Sequence, residues 1–113
     1  MDAPFAHLSA DFVGVAREQL GDAALLGGVA IAAAAAAGVH PVGAPLVRQH
    51  PDGGVTLILA LEGTHLALHT DPERGLLLFD VLAPGTLDPR TALDVVARRL
   101  RAREVRSEVR GRG

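Results

Sequence analysis

The sequence predicts an α+β fold, a two-layer sandwich with a mostly antiparallel sheet and two helices on one face. Three observations predict it. Short apolar runs separated by tight turns fill residues 55–82, which is the pattern of an antiparallel meander. Two stretches with helix-start signals, at Asp22 and at Asp88-Pro89, flank that block. A chain of 113 residues, 49% hydrophobic, is the size of one domain with one core, taken here as 1–113.

The first strand is read over His7–Val15, where Phe12 and Val13 lie in a loose alternation. Asp22 is placed to cap a helix that runs through the Ala-rich block. Gly38 ends that helix and Pro41 follows. Gly27 and Gly28 inside it weaken it relative to Ala but would allow close approach to a sheet. Val42–His50 reads as a second strand, and Pro45 puts it at an edge. Pro51-Asp52-Gly53-Gly54 is a turn. Val55–Leu61, Thr64–Thr70 and Leu76–Leu82 are the meander strands, joined by Glu62-Gly63 and by the turn at 71–75. Asp88 caps a second helix with Pro89 as its first residue. Its apolar face is Ala92, Leu93, Val96, Ala97 and Leu100, and Arg98, Arg99 and Arg101 sit where the helix dipole favours cations. Glu104–Arg110 alternates as a last strand, and the residues after it read as a frayed tail. The apolar strands call for burial on both sheet faces, which a homodimer would supply.

Composition narrows the chemistry. The net charge is −2, from 11 basic and 13 acidic residues, which points to neither nucleic acid nor an anionic membrane as partner. Every basic residue is Arg, so a Schiff base must come from something other than a lysine amine. There is no Cys, which excludes disulfides, thiolate zinc sites and a cysteine nucleophile. The first residues lack the charged and apolar regions of a signal peptide. The apolar run Ala23–Val39 is Ala/Gly-rich and short for a membrane span, so a buried helix and a cytoplasmic protein are expected. His65 and His69 would lie on one strand face about 13 Å apart, at about 3.3 Å per residue, too far to share one metal ion.

The segment Gly63-Thr-His-Leu-Ala-Leu-His-Thr-Asp-Pro-Glu73 is the informative one. It is similar to the Glu-Ser-His-Ile-Ser-Ile-His-Thr-Trp-Pro-Glu segment of the bacterial and archaeal S-adenosylmethionine decarboxylases. His7-Leu8, Ala10-Asp11-Phe12, Phe79-Asp80-Val81 with Gly85, and Asp88-Pro89 extend the resemblance over nearly the whole chain in order. What the family implies is a chain that cuts itself. A Ser hydroxyl attacks the preceding carbonyl, the ester eliminates, and the new N-terminus becomes a pyruvoyl group. Its carbonyl forms a Schiff base with the substrate amine and takes up electrons as carbon dioxide leaves.

By this resemblance Thr64 stands at the pyruvoyl-forming Ser and Gly63 at the Glu before the cleaved bond. His69 and Thr56 stand at the processing histidine and hydroxyl residue, and Glu73 at the glutamate that holds the substrate ribose. Pro84 replaces the proton-donating Cys, and Asp71 replaces a Trp near the adenosine pocket. Processing at Thr64 would yield a 2-oxobutanoyl group in place of pyruvoyl. His65 or His69 would have to replace the missing acid. Asp71 favours a basic amino acid, such as arginine or ornithine, beside S-adenosylmethionine as substrate. The expected function is therefore a self-processing decarboxylase of polyamine (spermidine) synthesis. The alternatives are an uncleaved homologue that binds a small ligand or regulates an active paralogue, and an interaction module using the open sheet face. Each named residue also has a plain structural reading. Thr64 can be a strand residue after a turn, the histidines satisfied structural groups, and Glu73 a solvated turn residue. Asp11 and Asp80 can be functional carboxylates or partners of Arg residues.

The pairing of Thr56 with His69 follows from geometry alone. If Glu62-Gly63 is a two-residue loop, Leu61 faces Thr64 and the ladder sets Thr56 opposite His69. Thr64 and His69 are then roughly 17 Å apart along the strand, at about 3.4 Å per residue, unless the chain bulges.

Overall fold

A computed structural model describes residues 3–113. Met1 and Asp2, where the reading of the N-terminus begins, lie outside the described residues. The elements in order are β1 (Phe5–Val13), α1 (Arg17–Leu20), α2 (Ala23–Ala36), β2 (Leu46–Gln49), β3 (Val55–Leu61), β4 (Thr64–Asp71), β5 (Leu76–Pro84), α3 (Thr91–Leu100) and β6 (Glu104–Arg112). The strands form one sheet in the order β2-β3-β4-β5-β1-β6, antiparallel at every pairing.

Alternation along the strands sorts the side chains between two faces. Leu8, Phe12, Leu57, Leu59, Leu66, Leu68, Leu77, Phe79 and Val81 face the helices and are buried. Phe12 and Phe79 meet edge to face with ring centroids 6.1 Å apart, a favoured aromatic arrangement. From α2, Leu26, Val29, Ala30, Ala33, Ala34 and Ala37 complete the core, and α3 adds Ala92, Val96 and Leu100. The Asp22 carboxylate accepts from Leu25 N at 3.0 Å and so caps α2 as the sequence predicts. The Thr91 hydroxyl donates to Ala36 O at 2.8 Å and ties α3 to the end of α2.

Among the described residues no helix covers the opposite sheet face. That face carries exposed apolar groups from four strands: Phe5 of β1, Leu46 of β2, Ile58 of β3 and Leu78 of β5 are 37–52% accessible. The two-sided burial expected from sequence is thus not met within one chain.

Several boundaries differ from the sequence reading. β1 ends at Val13, because Gly14 turns the chain at φ 76°. The four-residue α1 was not predicted. β2 is limited to Leu46–Gln49; upstream, Pro41 bridges to Leu61 outside the strand. α3 begins at Thr91, not Pro89, because the Asp88 carboxylate accepts from Arg90 N at 3.0 Å and holds residues 88–90 in a turn. The C-terminal residues are not frayed: β6 runs to Arg112, which pairs with Phe5. The Ala-rich α2 is buried on one face only, with Ile31, Ala35 and Ala36 exposed. Among the described residues no helix is long and apolar enough to cross a membrane.

Gly27 and Gly28 have open space where a Cβ would sit, so they are not needed for close packing. Gly28 is exposed and helical. Gly28→Ala is therefore expected to stabilise the fold by about 0.5–1 kcal/mol, read as a higher denaturation midpoint; a lower midpoint would contradict the open space.

Candidate active site

The β3–β4 hairpin supplies the central residues. Glu62 and Gly63 form its two-residue turn, and Gly63 has φ 74°. That left-handed conformation suits glycine, and nothing crowds it. The turn is braced by the segment before β2: Glu62 N donates to His40 O at 2.9 Å and Val42 N to Ala60 O at 3.0 Å.

Thr64 opens β4 directly after this turn. Its hydroxyl is buried and has no hydrogen-bond partner among the described residues. A buried hydroxyl normally finds a partner, and each exception calls for an explanation. Here the orphaned oxygen belongs to the residue directly after the Gly63 carbonyl.

Thr56 and His69 pair across β3 and β4 as the two-residue loop predicts. The Thr56 hydroxyl and His69 Nδ1 are 2.8 Å apart. A third residue, His50, joins them: its Nε2 lies 2.7 Å from the same hydroxyl. All three side chains sit on the open face of the sheet, between half-buried and exposed.

The register from Thr56–His69 to Leu61–Thr64 is unbroken. Thr64 and His69 are five residues apart and so point to opposite faces of β4. One chain does not bring them together. His65 lies on the open face, beside a cavity of about 410 Å³ that Phe5, Leu82 and Arg112 also line. Ala67 separates it from His69 on that face.

Asp71 ends β4 and meets Arg74 in the turn, with Oδ2 accepting from Nη1 at 2.5 Å and Oδ1 from Arg74 N at 3.2 Å. These bonds, the guanidinium first, hold the Asp71 carboxyl below its ordinary value, and the Arg74 guanidinium is raised in return. Glu73 is exposed in the same turn. Pro84 ends β5 opposite Phe5 and offers no proton. Asp80 pairs with a histidine, not an arginine: its Oδ1 is 3.0 Å from His7 Nε2. Asp11 stands opposite Arg106 in the ladder. No group of three or more metal-ligating side chains occurs among the described residues.

The sequence reading missed His50. The signal was present but indirect. His50 has the parity of the open-face residues of β2, and the turn at 51–54 returns the chain within reach of Thr56.

The sequence profile described as S-adenosylmethionine decarboxylase matches residues 6–113. The S-adenosylmethionine decarboxylase proenzyme of Symbiobacterium thermophilum is 39% identical over 100 residues, 88% of this chain and 75% of its own. The arginine decarboxylase proenzyme of Aeropyrum pernix is 36% identical over 101 residues, 87% of this chain and 76% of its own. In three dimensions the chain is similar to the crystal structure of the adenosylmethionine decarboxylase from Aquifex aeolicus. The TM-score is 0.87 at 24% identity, over 100% of this chain and 93% of the other, a likeness of fold.

Proposed function

The chain belongs to the S-adenosylmethionine decarboxylase family, and we propose that it is a self-processing decarboxylase that cleaves itself between Gly63 and Thr64. The observation that carries this reading is the Thr64 hydroxyl, buried and without a partner among the described residues, on the residue that follows the Gly63 carbonyl. A hydroxyl with no bond to break is free to attack. Attack would move the Gly63 acyl group from the Thr64 nitrogen to its oxygen. Removal of the Thr64 α-proton would then expel the Gly63 carboxylate. Hydrolysis of the resulting enamine would release ammonia and leave a 2-oxobutanoyl group on His65. The β-methyl makes Thr64 a more hindered centre than Ser. When formed, the ketone supplies the electrophile and the electron sink for loss of carbon dioxide.

His69 and Thr56 are the groups proposed to move the proton. Thr64 points to the helix-facing side of β4 and His69 and Thr56 to the open side, so the chain near 62–66 would have to bulge or fold back to bring the hydroxyl to them. A homodimer packed through the open sheet face is proposed on separate grounds, since burying Phe5, Leu46, Ile58 and Leu78 would supply the cover that face lacks. At Pro84 the usual acid is missing, and His65, directly after Thr64, is a titratable group on the open face.

For the substrate, Glu73 and Asp71 are the proposed contacts. Asp71 already holds Arg74, so a cationic amino acid would have to compete with that guanidinium. S-adenosylmethionine, feeding polyamine synthesis, is therefore the first substrate proposed and arginine the second. Carbon dioxide release from purified, fully processed protein tests this directly. Release is expected from S-adenosylmethionine above arginine and ornithine; release from arginine alone would reverse the assignment.

One observation favours a second reading, an uncleaved homologue that binds a small ligand or regulates an active paralogue. The hairpin at Gly63 is regular, with no bulge toward an acid or base.

A further inference from the structure

His50 has no role in the chemistry described so far, yet its Nε2 lies 2.7 Å from the Thr56 hydroxyl on the open sheet face. Resting on the reading of Thr56 and His69 as processing groups, we propose that His50 is a positioning residue that fixes the tautomer of His69 through the Thr56 hydroxyl.

A threonine hydroxyl carries one hydrogen and has two lone pairs. Thr56 Oγ1 lies within hydrogen-bond distance of two imidazole nitrogens, His50 Nε2 at 2.7 Å and His69 Nδ1 at 2.8 Å. Between two neutral imidazoles it donates to one and accepts from the other. In the first setting Thr56 donates to His69 Nδ1, which puts the His69 proton on Nε2. The free end of the ring is then a donor. In the second, Thr56 donates to His50 Nε2 and accepts from His69 Nδ1–H. The free Nε2 of His69 then carries a lone pair and is a base. His50 can accept the Thr56 proton only at the nitrogen it presents there, so its own tautomer sets that of His69.

A base for the acyl shift needs the second setting. The reacting hydroxyl gives its proton to His69 Nε2, and no other proton changes atoms. The imidazolium formed keeps Nδ1–H on Thr56 Oγ1, in a bond strengthened by the new charge. Thr56 keeps its own proton, directed at His50. The chain base–hydroxyl–orienting group is the general arrangement by which a base is held in one orientation.

His50 is itself held. Its backbone N donates to Gly54 O at 2.8 Å and its O accepts from Gly53 N at 2.9 Å, so the turn after β2 fixes its place. The two imidazole planes are tilted by 49° with centroids 5.7 Å apart, so the rings do not stack and the link between them is the shared hydroxyl.

Nitrogen-15 NMR of the histidine rings of the full chain at neutral pH tests this. Wild-type His69 is expected as the Nδ1–H tautomer. His50→Phe removes the acceptor and is expected to move His69 toward the Nε2–H tautomer. It should also slow self-cleavage by about tenfold or more, a part of the ~10²–10⁴ that a positioned base contributes. His50→Gln, whose carbonyl oxygen can accept from Thr56, is expected to restore both. An unchanged His69 tautomer in His50→Phe overturns the proposal. So does a changed tautomer with an unchanged cleavage rate, or a His50→Gln protein as slow as His50→Phe. If the wild-type chain never cleaves while the tautomer still follows residue 50, the coupling stands and the processing reading is what fails.

Discussion

Thr64→Ala is expected to leave the chain whole and to remove all decarboxylase activity. Alanine keeps the β-carbon at the start of β4 but has no oxygen to attack the Gly63 carbonyl. The effect is therefore complete. A merely weakened rate, with cleavage intact, would take Thr64 out of the mechanism. Thr64→Ser is the informative companion. It keeps the oxygen, removes the β-methyl and would yield a pyruvoyl group, so cleavage should be faster than in the wild type. Together the two variants separate the hydroxyl from the bulk of the side chain. Unfolding is not the expected cause of the loss in Thr64→Ala, because the Thr64 hydroxyl has no hydrogen bond to lose. A denaturation midpoint near that of the wild type is expected alongside the lost activity.

The largest stability effect is expected at Thr70, a polar residue with no accessible surface. Its hydroxyl donates to Leu20 O at 2.7 Å and accepts from Val55 N at 2.9 Å. It thereby links the end of α1, the start of β3 and β4 through one oxygen. Thr70→Val preserves the shape and strands one donor and one acceptor without water. The expected cost is about 3 kcal/mol, from ~1–3 kcal/mol for each unmet buried group. That is a large share of the ~5–15 kcal/mol that holds a domain folded. The denaturation midpoint should fall by on the order of 10 °C. Thr70→Ser keeps the hydroxyl and should lose much less. Equal stability of the Val and wild-type proteins would mean that the oxygen is not the link.

Much of this fold was legible because local signals and burial agree. The run Val55–Leu61 is bounded by Gly54 and Glu62-Gly63, and its strand limits were read to the residue. Asp22 caps α2 because its side chain reaches a backbone donor three residues on. What was missed depends on contacts distant in sequence. α1 is too short to be helical on its own propensity, and its last carbonyl is satisfied by Thr70, fifty residues away. The Arg-Gly-Arg end of β6 has no apolar alternation to mark it; its place comes from backbone pairing with β1. At the second predicted helix the Asp88-Pro89 signal was real, but the Asp88 side chain bonds Arg90 N and the helix starts two residues later.

The candidate site divides in the same way. The Thr56–His69 pair follows from a two-residue turn and a period of two. The same count shows that Thr64 and His69 are set apart, and the structure keeps them on opposite faces of β4. Strand period gives His50 the open-face parity, but its contact depends on how the Pro51–Gly54 turn brings it back over Thr56. The charge assigned to Asp71 from sequence is present but engaged by Arg74. That pairing arises from turn geometry and not from residue type.

The central claim is that this chain breaks its own backbone at Gly63–Thr64. Intact mass under denaturing conditions, after prolonged incubation of the purified protein, tests it most directly. Two fragments split at that bond are expected, their summed mass equal to the parent plus water minus ammonia, with a carbonyl on the second that borohydride reduces. A single chain of 11.7 kDa with no reactive carbonyl would contradict the claim.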